Sequence, residues 1–246
     1  MANWSDPRPS AAPFGATRAR AGDAAYDSGL RSYMLSVYNY MTSAVLLTGI
    51  VALLFAFSGY AEAVFTQAGI LKYVIVFSPL AVVFAMSFGQ GRMSQGTLQA
   101  LFWGFAVLMG LSLSTIFLQY SPIAIAQAFF ATAAGFAALS LYGYTTKKDL
   151  SALGTFLIIG VVGLLVASII NMFVQSGPLG LLISAVGVLL FAGLTAYDTQ
   201  RTKSLYYQVA GTELEGRVVV MSALSLYLDF INMFLFILRL FGSSRD

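Results

Sequence analysis

The chain has 246 residues, of which 59% are hydrophobic and only 9% charged, with a mean hydropathy of +0.82. Soluble domains run near 25% charged, so the composition excludes an ordinary soluble protein and fits an integral membrane protein. With no Cys and no His, disulfides, thiolate metal sites and imidazole-based catalysis are excluded too, and the net charge of +3 calls for no nucleic-acid partner.

In chain order, residues 1–37 come first, rich in Ala, Pro, Gly and Ser with four arginines. They read as a disordered cytoplasmic tail, followed by an uncleaved first span, since the apolar run begins only near residue 38. A bilayer core of ~30 Å needs about 20 mostly apolar residues per helix. Seven windows meet that length, at 38–58, 70–89, 98–118, 122–143, 152–174, 178–199 and 218–241. The links are short, the longest being "RTKSLYYQVAGTELEGR" after the sixth window. The expectation is an all-α bundle spanning 38–242, with the lipid bilayer as its solvent.

Basic residues collect in cytoplasmic loops. With the N-terminus inside, ten of the 13 lie on the inner side, and only Lys72, Arg239 and Arg245 lie outside. Small residues at close intervals, as in "GFAVLMGLSLSTI" and "ATAAGFAALS", let helices approach closely, and packing explains them better than conduction.

The acids are few. Asp229 sits about eleven residues, or ~16 Å, into the last window, close to the bilayer midplane. An acid there is costly facing lipid and is a functional candidate by default. Ser222, Ser225, Asp229 and Asn232 recur every three or four residues and share one helical face. The alternative role for Asp229 is a protonated hydrogen-bonding contact between helices. Asp198, in "TAYDTQRTK" at the inner end of the sixth window, reads alone as a boundary residue, but on antiparallel neighbours the two acids can meet. Two carboxylates in one low-dielectric site cannot both ionise easily and titrate as a unit. A pH-sensitive element therefore needs no histidine. Arg92, in "FGQGRMSQG", is the natural counter-charge or else a topology marker; Glu62, Asp149, Glu213 and Glu215 read as solvated.

The runs "ALSLYGYTTKKDLSALGTFL", "TAYDTQ" and "ALSLYLDFINMFLFILRLFG" resemble the Bax inhibitor-1 family of membrane proteins, in its bacterial inner-membrane branch. "GLRSYMLSVYNYMTSAVLLTG" and "GLSLSTIF" fit the same pattern. The resemblance implies seven helices with the last one central, surrounded by the other six. It implies a multi-pass protein of the bacterial inner membrane acting as a pH-sensitive calcium-leak channel. Its aspartate pair would be Asp198 and Asp229, which would also be transient calcium contacts, and its latching arginine would be Arg92. Ser222, Ser225 and Asn232 would support the pair. No cofactor and no enzymatic activity are implied. An aspartyl protease would also use two aspartates, but "LYLDFIN" lacks the expected preceding glycine. The competing function is an interaction protein that regulates a membrane protease or another membrane complex without conducting ions.

Overall fold

The computed structural model describes residues 14–67 and 69–242, with side chains from Ser28 onward. Among the described residues there are nine helices and no strand: α1 Phe14–Phe57, α2 Tyr60–Gln67, α3 Leu71–Gly89, α4 Gln95–Leu113, α5 Ile116–Gln119, α6 Pro122–Thr145, α7 Ser151–Val174, α8 Gly177–Val209 and α9 Glu215–Phe241. Seven stretches are long and apolar enough to cross a membrane, with α4 and α5 forming one of them (Gln95–Gln119). All seven overlap the windows expected from hydropathy.

Local chemistry marks where the helices start. Ser94, Ser121 and Ser176 stand in extended backbone before α4, α6 and α8, and each hydroxyl accepts an N–H of the first turn, from Thr97, Ala124 and Leu179. These caps satisfy donors that a helix leaves unpaired, and Pro122 and Pro178 follow two of them in the first turn, where a missing N–H is harmless. Ahead of α7, the Asp149 carboxylate accepts the Ser151 N–H at 2.9 Å, and the Ser151 hydroxyl, with that N–H second, holds it below the usual carboxylate range.

Two boundaries differ from expectation, and both lie at the basic end of the bundle. The helix occupies the second half of the expected tail, since α1 begins at Phe14 and Leu30, Tyr33, Met34 and Val37 are buried. Residues 1–13 of that tail lie outside the described residues. Likewise α8 does not end near residue 199. It continues to Val209, and the expected long inner loop shrinks to a turn at 210–214 containing Gly211 at φ +72°. The two extensions pack together: the Tyr33 and Tyr206 rings lie 5.3 Å apart. Each is amphipathic, burying one face while Arg31, Arg201 and Tyr207 stay exposed. Averaged over a span-length window, such a face is invisible.

The bundle is organised around α9. Of its most apolar 18 residues 67% are buried, against 11% for α3 and 17% for α7. It packs directly on α1, α4, α6 and α8. The expected ring of six around the last helix is thus a ring of four, with α3 placed mainly on α4 and α7 on α8. Tyr227 fixes the centre: its hydroxyl is 2.8 Å from Thr48 Oγ1, which itself donates to the Ala106 carbonyl at 2.9 Å. With the Thr48 proton committed, Tyr227 is the donor, and the relay ties α9 to α1 and α4. Phe105 meets the Tyr227 ring edge-on at 5.1 Å.

Small residues set the helix spacing. A Cβ on Gly143 of α6 would run into the Ala196 carbonyl of α8, whereas one on Gly163 of α7 would meet open space. Gly143→Val should therefore destabilise the bundle by about 1–3 kcal/mol, the usual cost of overpacking, while Gly163→Val should be neutral. Thermal unfolding of the two purified variants against wild type checks this.

Candidate functional site

Helix phase aims the acids at each other. On α8, three side chains around Asp198 are committed to the α6–α7 side: Thr199 donates to Ser140, Gln200 donates to the Lys148 carbonyl and accepts the Leu150 N–H, and Lys203 donates to the Tyr144 carbonyl. At 3.6 residues per turn, these bonds turn Asp198, Arg201 and Thr202 towards α9 and α3. On α9 the polar stripe comes from the opposite direction, since the two helices are sequential and antiparallel.

The result is a carboxyl pair inside the bundle. Asp198 is 8% exposed and Asp229 4%, and the two carboxyls lie close enough to act on each other electrostatically. Ser225, one turn before Asp229, donates a short hydrogen bond to Asp198 Oδ2. Asp229 Oδ2 is fully buried and has no hydrogen-bond partner among the described residues. A buried polar atom left unpaired is costly, and charge on it is costlier still.

Beside the acids lies a cavity of about 360 Å³ bounded by α3, α8 and α9. Its polar lining consists of Ser87, Gln90, Asp198, Arg201, Thr202, Ser222 and Ser225. Arg201 is exposed at the rim, three residues after Asp198, and acts on that carboxyl electrostatically. Asp229 lies behind this lining, reached through Asp198 and Ser225.

The other residues singled out from sequence fall as follows. Ser222 and Ser225 both line the cavity. Asn232 lies one turn beyond Asp229 and spends its amide on the Leu228 carbonyl of its own helix, at 2.8 Å. Arg92 is exposed in the turn after α3, its N–H bonded to the Gly89 carbonyl, and does not line the cavity; Gln90 does. The cation that the fold brings to the acids is Arg201. Its spacing from Asp198 was readable, but placing position 201 in a loop concealed it. No group of three or more Asp or Glu side chains among the described residues is arranged to hold a metal ion.

Fold and site together define a multi-span membrane protein with an acid pair buried between its last two helices. The sequence matches the family described as "Inhibitor of apoptosis-promoting Bax1" over residues 30–246, and the chain belongs to this Bax inhibitor-1 family. An uncharacterized protein of Rickettsia prowazekii is 43% identical over 221 residues, 90% of this chain and 93% of that one. The inner membrane protein YbhL of Escherichia coli K12 is 41% identical over 221 residues, 89% of this chain and 94% of that one. A Caulobacter vibrioides protein is 41% identical over 236 residues, covering 91% and 93%.

Removing the Ser225 hydroxyl leaves Asp198 Oδ2 without that donor and should cost about 1 kcal/mol, the net worth of one buried hydrogen bond. Arg92→Gln, in a solvated turn, should cost nothing. Thermal midpoints of Ser225→Ala and Arg92→Gln, measured in the same detergent, separate the two.

Proposed function

We propose that this protein is a pH-sensitive cation leak pathway of a bacterial inner membrane, with calcium as its cargo and the Asp198–Asp229 pair as its proton sensor. The observation that carries the reading is the carboxyl pair itself: two buried acids close enough to act on each other, one with an orphaned buried oxygen, beside a cavity with a polar lining. Calcium favours carboxylate, carbonyl and hydroxyl oxygens and takes six to eight of them when held firmly. Two carboxylates and Ser225 are too few for a resident site and suit an ion in passage. Ionising both acids would set like charges against each other between α8 and α9; adding a proton would relieve that repulsion and weaken the attraction for a cation. Arg201 is the counter-charge in this reading, and Arg92 a basic residue of the inner surface.

The inner membrane is the location suggested by the relative YbhL. The excess of basic residues on one side supports a cytoplasmic N-terminus. Because the chain has no Cys, single cysteines test that orientation cleanly. In intact spheroplasts a membrane-impermeant maleimide should label Gly177→Cys, and should label Lys147→Cys only after permeabilisation; the reverse pattern inverts the topology.

Calcium efflux from proteoliposomes between pH 5 and 8 tests the function. Wild type should show a pH-dependent rate, and Asp198→Asn and Asp229→Asn should each flatten it. Arg201→Gln should displace the midpoint of the pH response, while Arg92→Gln should not. A pH profile unchanged in both aspartate variants would remove the sensor, and calcium flux no greater than in protein-free vesicles would remove the channel.

A further inference from the structure

A second cavity lies away from the acids and is larger than the one beside them. A cleft of about 670 Å³ runs between α1 and α6 on the opposite flank of α9. Both helices pack on α9 but not closely on each other, so the cleft has two walls and a floor. The floor is Phe230, held by edge-on contacts to Phe129 at 5.7 Å and Phe136 at 5.6 Å. From Arg31 to Leu46 the α1 wall rises by 15 residue steps, or ~22 Å at 1.5 Å per residue, more than the ~15 Å depth of one leaflet's hydrocarbon.

Charge is confined to one end. Along the cleft the walls are Leu, Met, Val, Ala and Phe with one hydroxyl from Thr42, and the Ser140 hydroxyl accepts from Thr199. At the end nearest the α6–α7 link stand Arg31, Tyr38 and Tyr144. Arg31 is exposed and has no ion-pair or hydrogen-bond partner among the described residues. Lys203 adds a second cation there, with its Nζ 2.9 Å from the Tyr144 carbonyl and 4.9 Å from the Tyr144 ring centre. Leu35 and Leu141 line the cleft and are more than half exposed, as side chains facing lipid would be.

We infer that this cleft is a binding site for an anionic phospholipid, with one acyl chain lying over Phe230 and the headgroup phosphate on Arg31. Charge complementarity selects the occupant. An apolar trough on the bilayer flank is entered sideways, from lipid, and a guanidinium at its end matches a phosphate bidentately. The cations lie at the basic end of the bundle, where anionic lipid of the inner leaflet would meet them. The site stands independently of the channel reading, although Phe230 directly follows Asp229, so an occupant touches the helix that carries the acid.

Native mass spectrometry of the full chain in detergent tests this, with phosphatidylglycerol, phosphatidylethanolamine and inorganic phosphate as probes. Wild type should retain one phosphatidylglycerol in preference to phosphatidylethanolamine by about tenfold, the scale of one charge-assisted contact. Arg31→Gln, at an exposed position, should abolish that preference, weakening phosphatidylglycerol far more than phosphatidylethanolamine, whose own ammonium already balances its phosphate. Ala137→Trp, which fills the cleft, should lose both lipids. Equal retention of phosphatidylglycerol by wild type and both variants would overturn the site, as would displacement of phosphatidylglycerol by inorganic phosphate or a cleft closed by a second copy, seen as a lipid-free dimer.

Discussion

Hydrocarbon offers no partner to a polar group, and that constraint places every element of this bundle. A helix with Ser222, Ser225, Asp229 and Asn232 on one face cannot turn that face to lipid, because an acid near the bilayer centre costs a few kcal/mol there. Consequently α9 occupies the centre. Its remaining circumference is apolar and serves equally well against other helices. Neighbouring helices supply partners for most of its polar atoms: Thr48, itself bonded to the Ala106 carbonyl, for Tyr227, and Asp198 for Ser225. In a bilayer, helices gain little from hydrophobic association and adhere through close packing and hydrogen bonds. The Tyr227 relay and the Gly143–Ala196 approach are therefore structural in the strong sense.

The same constraint divides the polar residues of α9 into two kinds. Tyr227 is fully satisfied, with its donor and acceptor chain closed through two other helices, as a buried network must be if it is to rigidify a core. Two residues later Asp229 holds an oxygen with no partner among the described residues. Opposite faces of one turn thus carry a completed network and an incomplete one. The completed network holds α9 in position, and the incomplete one leaves a buried polar atom whose cost the rest of the helix must carry.

Much of this was legible in the sequence, for identifiable reasons. Uniform hydropathy marks a helix that faces lipid, so all seven spans were readable. The stripe on α9 was readable because it interrupts that uniformity at a 3.6-residue period. What hydropathy cannot register is a helix that is apolar on one side and solvated on the other. For that reason Leu30–Val37 read as tail, and Arg201–Val209 as loop. Both errors fell at the same end of the molecule, where the helices emerge from the hydrocarbon and pack on each other through Tyr33 and Tyr206. The second error also hid Arg201, whose place beside Asp198 depends on α8 continuing without a break. The pairing of the two acids needed the phase of α8, set by Gln200 and Lys203 through long-range bonds to backbone carbonyls that no local pattern encodes.

The three walls of the acid cavity are unequally anchored. Helices α8 and α9 are the most buried spans in the bundle and bind each other through the acids themselves, whereas α3 leans mainly on α4, buries only Pro79 and Met86, and carries a proline that removes one of its own backbone hydrogen bonds. Local opening follows the element with the fewest buried contacts. Displacing α3 would disturb neither the Tyr227 relay nor the Gly143 contact, so the cavity can widen by the swing of one peripheral helix while the core keeps its shape. The acid pair would then gain access to water without the bundle coming apart.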